Sequence, residues 1–436
     1  MKDISLYNVM NSLSMTINLI STVAKDHHET VTYLAYKISD NLNINKANKQ
    51  KLIFSSLIHD IGILYIEEDV DHKLHSYEED IKHAVLGYHL IEKNFPVDDI
   101  PKIIKFHHHR WNDLPDEKLY MLSNILNLAD ELSYQISKYE KNILYYKDEI
   151  VDELKKRKDR YHNEVWEAFI NLSKIESFWL DAKLKDLKSI NSKYIKDHRL
   201  DYLIDIDDFL MISKIFSYLI DFRNPFTATH SAVISRISTS LARNYNFTTD
   251  ELKQTRIAGY LHDIGKLSLP LSILNKNDKL DEREWALMRG HTYRTYKVLE
   301  SIEEFPKIKK WASYHHEKLD GSGYPFHLNE SELDIGSKIM VVADIYTALT
   351  EDRPYRNAFK NKKIIKILND NIKNNKIDQE ITNIIINNLE RYNEIRKKSQ
   401  ENAIKKYRDF KKNLTYIVSK RLKMEKEINN LFNENI

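Results

Sequence analysis

The chain has 436 residues, with 67 Lys and Arg against 65 Asp and Glu, a net charge of +2, and no cysteine. It uses glycine only eight times, where ordinary usage of about 7% would supply about thirty. These figures exclude a disulfide framework, a thiolate metal site or nucleophile, a glycine-rich phosphate loop, a hairpin-rich β fold, and the basic excess of a binder of polymeric nucleic acid.

Apolar periodicity predicts helices over 8–24, 27–42, 48–60, 79–94 and 116–140, and an all-α fold along nearly the whole chain. His27 opens the second of these segments, His59-Asp60-Ile61-Gly62 closes the third, and His83 lies in the fourth. His107-His108 and Asp130 follow. Residues 141–200 are densely charged, which predicts amphipathic helices that complete a first domain and pack through Phe178-Trp179-Leu180. The charge cluster from Lys196 to Asp201 marks a boundary, so the expected units are 1–200, 201–395 and 396–436. Phe209 to Phe222 begins the second unit, and Asn224-Pro225-Phe226 turns into a helix opened by His230, with Val233, Ile234, Ile237 and Leu241 on one side. Two more helices are expected over 280–300 and 336–350.

From Ala403 the apolar row Tyr407, Phe410, Leu414, Ile417, Met424 and Ile428, interrupted by Arg421, predicts a long C-terminal helix. It serves equally as a coiled coil that makes a homodimer or as a helix packed back along its own chain. No apolar run reaches the about 18 residues of a membrane span, and the start shows no signal-peptide core, so a cytoplasmic protein is expected.

The second unit concentrates the chemistry. Leu261-His262-Asp263-Ile264-Gly265-Lys266 is followed by His291, then by His315-His316-Glu317-Lys318-Leu319-Asp320-Gly321-Ser322-Gly323-Tyr324-Pro325, then by Asp344. With His230 these form a set of imidazoles and carboxylates without thiolate, which suits a first-row divalent ion such as Fe, Mn, Zn or Ni. The adjacent His262-Asp263 pair lets each residue ligate one of two ions, or lets the aspartate bridge both. Such ions lower the pKa of a bound water from about 15.7 towards about 7. His72, His75, His89, His162, His198 and His327 read as surface or turn residues.

These two motifs, complete and in order, resemble the HD-GYP family of bacterial cyclic-dinucleotide phosphodiesterases, over about residues 205–395. The resemblance implies a helical hydrolase that cleaves c-di-GMP to the linear dinucleotide or GMP. It assigns His230, His262, Asp263, His291, His315, His316 and Asp344 as metal ligands, with Asp263 orienting the attacking water. Lys266 corresponds to a lysine that protonates the leaving oxygen or contacts phosphate, and Tyr324, Arg353 and Arg356 to substrate-phosphate contacts. A planar guanidinium can indeed grip a phosphate through two bonds. Members with three metals carry a glutamate four positions before the first histidine, where this chain has Phe226, so two divalent ions are expected, iron or manganese ahead of nickel or zinc. Two readings stay open beside this one: the same chemistry on 3′,3′-cyclic GMP-AMP, and a non-catalytic nucleotide- or metal-sensing receptor.

The first unit repeats the constellation. His27 precedes His59 by 32 residues, as His230 precedes His262; His107 follows His83 by 24, as His315 follows His291. These coincident spacings, with the repeated His-Asp-Ile-Gly, make a tandem architecture the expected one, with a second candidate metal site at His27, His59, Asp60, His83, His107, His108 and Asp130. His28 could substitute for His27. The substrate-handling residues are missing: Ile63 replaces the lysine, no Gly-Tyr-Pro follows His107-His108, and Tyr139 stands where Arg353 would. The first copy is therefore expected not to cleave the dinucleotide, and to serve either as a folded relic that holds its partner or as a metal, redox or ligand sensor.

Overall fold

The structure is a computed structural model that describes residues 3–18, 26–65, 77–93, 95–114, 118–139, 141–184, 187–222, 229–276, 278–351, 357–406 and 408–409. They are helical almost throughout, as expected. Caps set the boundaries. Thr248 and Asp281 each accept from the backbone three residues on, while Glu251 and Glu284 bond back, so two orphan donors are satisfied at each start. Asn45 and Asp334 cap their helices singly.

The first copy follows the predicted order with shifted ends: Leu6–Asn18, His27–Asn41, Lys46–Ile58, Tyr77–Ile91 and Lys118–Ser137. A further short helix, Ile100–Phe106, delivers His107-His108, and its seven residues are too few to show a period. The charged stretch forms Ile143–Lys155, Asn163–Ser173, Glu176–Asp181 and Leu187–Asp197. Phe178 and Trp179 are buried in the first-copy core, but Leu180 is 48% exposed, so that part of the expected packing is corrected. Leu180 lies about 100° around the same helix from Trp179, on the side away from that core. The second copy holds Ile206–Phe222, His230–Ala242, Thr249–Leu261, Glu282–Leu299, Pro306–Ser313 and Ile335–Thr350.

The two copies are tied together at their starts. Ile4–Ser5 pairs antiparallel with Leu203–Ile204, a strand pair too short to be legible in the sequence. Each strand leads into a helix that reaches the other copy. Leu6–Asn18 packs on Lys46–Ile58 and also on Glu282–Leu299 and the turn Ile264–Ser268. Ile206–Phe222 packs on Thr249–Leu261 and also on the turn Ile61–Tyr65. Leu6, Val9, Met10, Leu13 and Ile17 thus share one apolar core with Phe209, Ile212, Phe216 and Leu219. The tail is helical over 389–406, with Ala403 buried. The apolar row from Phe410 onward and the Asn224-Pro225-Phe226 turn lie outside the described residues.

Candidate metal centre

The seven second-copy residues come from five helices and their ends, and they meet in one buried place. His262 caps the C-terminus of Thr249–Leu261, and His315 lies just past Pro306–Ser313. A helix end leaves backbone carbonyls without partners, and these histidines use them. His262 Nδ1–H donates to the Gly259 carbonyl at 2.9 Å and His315 Nδ1–H to Ala312 at 2.7 Å. His291 Nδ1–H donates to Met288 at 2.6 Å within its own helix. A carbonyl only accepts, so each ring carries its proton on Nδ1 and turns the Nε2 lone pair inward. Metal-ligating histidines are commonly held in this way, with the other ring nitrogen donating to a carbonyl.

Asp263 lies between the two groups of imidazoles. Its Oδ1 is 3.3 Å from His291 Nε2 and 3.7 Å from His315 Nε2; its Oδ2 is 3.2 Å from His262 Nε2 and 2.6 Å from Lys266 Nζ. Burial opposes its ionisation, but the His262 ring and the Lys266 ammonium outweigh burial and hold the carboxyl well below the usual carboxylate range. Asp344 closes the cluster, with Oδ1 3.4 Å from His230 Nε2 and Oδ2 3.6 Å from His316 Nδ1.

The donor set fits divalent ions. His291 Nε2 and His315 Nε2 stand 3.3 Å apart, both as lone-pair acceptors. Burial pushes His315 well below its ordinary value, so a proton does not relieve the repulsion, and a cation would. His262 Nε2 and Asp263 Oδ1 are buried without a hydrogen bond. Orphaned buried acceptors of this kind cost about 1–3 kcal/mol each unless something coordinates them.

Three supporting residues escaped the sequence reading. Glu351, buried at the end of Ile335–Thr350, accepts from His230 Nδ1–H at 2.8 Å. Glu317 accepts from the backbone N–H groups of Phe326 at 2.7 Å and Leu328 at 3.0 Å, and so anchors the Gly-Tyr-Pro turn. Trp285 is 46% exposed on the helix that carries His291, edge-on to Tyr324 at 6.4 Å between centroids. Tyr324 in turn lies 5.0 Å from the His316 ring, so an aromatic row leads from the histidine cluster to the half-exposed Trp285. Only Glu317 lay inside a motif; the other two had no sequence signal. Arg353, Arg356 and Phe226 lie outside the described residues.

The first-copy counterparts are also brought together. His27, His59 and Asp60 form one group of ligand atoms within 4.8 Å of one another, His59, His107 and Asp130 a second, and His83, His107 and His108 a third. His28 joins them, with Nε2 3.6 Å from Asp60 Oδ2, so it stands beside His27 rather than in its place.

The family described as HD domain matches the chain twice, over residues 25–135 and 214–381. Over 385 residues the chain is 24% identical to 3′3′-cGAMP-specific phosphodiesterase 1 of Vibrio cholerae, covering 84% of this chain and 88% of that protein. Over 132 residues it is 34% identical to a cyclic di-GMP phosphodiesterase of Pseudomonas aeruginosa, covering 30% of this chain and 32% of the relative. The crystal structure of a cyclic GMP-AMP specific phosphodiesterase of Vibrio cholerae shares the fold, with a TM-score of 0.63 at 20% identity over 89% of this chain and 98% of that one.

Proposed function

We propose that this chain, a member of the HD-domain family that carries the domain twice, is a metal-dependent phosphodiesterase whose second copy, within 201–395, hydrolyses a cyclic dinucleotide. The single observation that carries the reading is the position of Asp263, one carboxylate within 4 Å of both imidazole groups and of Lys266. His230, His262, His291, His315, His316 and Asp344 complete a site for two ions, iron or manganese. Bound there, the ions supply Lewis acidity and acidify water.

The chain's own groups do the remaining work. Lys266, 22% exposed at its side chain, bonds Asp263, and its ammonium can pass a proton to the leaving oxygen. Burial raises the Tyr324 phenol above its ordinary range, so it stays protonated and can donate to a phosphate oxygen. Arg353 and Arg356 grip a phosphate in this reading, and the helix beyond 396 makes the homodimer of a cytoplasmic protein. No described helix is long and apolar enough to cross a membrane.

The substrate is c-di-GMP, cut to the linear dinucleotide or GMP. A second reading, 3′,3′-cyclic GMP-AMP, is favoured by the relative that aligns along most of both chains. Hydrolysis of both dinucleotides by protein purified without oxygen and loaded with Mn(II) or Fe(II) tests the proposal. The higher kcat/KM assigns the substrate, and tight binding without turnover of either sinks the hydrolase reading in favour of a receptor.

Two substitutions separate the roles. Lys266→Met should lower kcat by about 10²- to 10⁴-fold, the range for a lost proton donor, while metal content stays at the unaltered level. Trp285→Ala should raise KM for the dinucleotide about tenfold or more, since stacking on an aromatic ring is worth about 1–3 kcal/mol per base. Metal content should not change, since Trp285 contacts Tyr324 and none of the clustered histidines and aspartates.

A further inference from the structure

We propose that the first copy holds its own pair of divalent first-row ions, bridged by Asp60, and that His28 stands there where Lys266 stands in the second copy. The bridging geometry repeats. Asp60 Oδ1 lies 3.3 Å from His83 Nε2, and Oδ2 lies 3.3 Å from His59 Nε2 and 3.6 Å from His27 Nε2. His59 Nδ1–H donates to the Ser56 carbonyl at 2.9 Å and His107 Nδ1–H to Ile104 at 2.6 Å. Both rings therefore turn Nε2 inward, as His262 and His315 do, and His107 Nε2 is buried without a hydrogen bond. Asp130 Oδ1, 3.1 Å from His27 Nε2, closes the first group as Asp344 does in the second copy. His108 Nε2, 3.0 Å from His83 Nε2, closes the other.

The difference lies at the bridging carboxylate. Asp263 Oδ2 bonds the Lys266 ammonium. Ile63, the residue at that place in the first copy, is 5% exposed and offers no charge, and His28 Nε2 approaches Asp60 Oδ2 instead. Among the described residues, Asp60 and Asp130 pair only with histidines. The two clustered carboxylates have no lysine or arginine beside them among the described residues, and a donor set of imidazole and carboxylate without thiolate suits Fe, Mn, Ni or Zn. With an added nitrogen ligand in place of the proton donor, this centre binds metal without passing a proton to a leaving group.

The measurement is metal content of the full chain after reconstitution with Mn(II) or Fe(II) in the absence of oxygen. About four ions per chain are expected in the unaltered protein, and about two in the H262A/D263A protein and in the H59A/D60A protein. H262A/D263A should also keep a rise in Tm on adding Mn(II), because ions that bind only the folded state stabilise it. In that background, His28→Ala should weaken Mn(II) binding by about 10- to 100-fold. Saturation of the unaltered chain at about two ions, or a H262A/D263A protein that is folded by circular dichroism and holds none, overturns the proposal. Unchanged Mn(II) affinity on His28→Ala removes His28 from the centre. No arm of the experiment uses hydrolysis, so its outcome is separate from that of the phosphodiesterase reading.

Discussion

Asp263→Asn should cost the protein its hydrolysis, by about 10⁴-fold or more in kcat, the scale on which a residue acting as part of a catalytic unit is lost. The substitution keeps size and shape, so packing is preserved while the bridge is removed. An asparagine presents one acceptor and an NH₂ group that would face either the His291 side or Lys266, now 3.3 and 2.6 Å from the two carboxylate oxygens. The residues that would hold two ions would then lack a shared carboxylate, and the lysine loses the anion that it bonds. The expected result is a folded protein by near-UV circular dichroism, with reduced metal content and no measurable turnover. Turnover within tenfold of the unaltered enzyme would falsify the assignment of Asp263 as the centre of the site.

Gly265→Ala should destabilise the chain severely, by about 4 kcal/mol or more, and empty the His291 side of the centre. A Cβ at this position would run into the His291 carbonyl and come within 2.8 Å of the Thr295 backbone nitrogen. Neither can retreat. Thr295 Oγ1 accepts from Gly265 N–H at 3.1 Å and donates to the His262 carbonyl at 2.9 Å, which locks the turn onto the helix. Overpacking against fixed backbone belongs to the short list of mechanisms behind such large losses. The first copy makes the same contact between Gly62 and the His83 carbonyl, so Gly62→Ala should lower stability in parallel. Urea unfolding of both variants measures the effect through the midpoint, and a midpoint unchanged in Gly265→Ala contradicts the close approach seen here.

The pairing of glycine with each His-Asp turn shows how far the sequence carries. Histidine spacing, helical periodicity and the placing of glycines identified the histidine and aspartate constellation that the fold gathers, its duplication and an all-α scaffold, because these depend on contacts local to a helix or on residue types that metal chemistry demands. Lys266 belonged to the same legible group, since it lies three residues from the carboxylate it bonds.

Other features belong to no local pattern. Glu351 reaches His230 from 121 residues away, and a buried glutamate at a helix end looks in sequence like any solvated one. Trp285 reads as one apolar residue on a charged helix until folding sets it beside Tyr324. His28 looked like an alternative to His27, yet neighbouring helical residues point about 100° apart, and the fold uses both directions around Asp60. The reach of each leading helix onto the other copy, beside a strand pair of two residues each, likewise joins segments far apart in the chain. The sequence by itself determined which residue types suit a metal and that their pattern occurs twice. Only the tertiary structure decided which of the imidazoles surround one carboxylate, and what stands beside it, because that turns on side chains brought within a few ångströms across long stretches of chain.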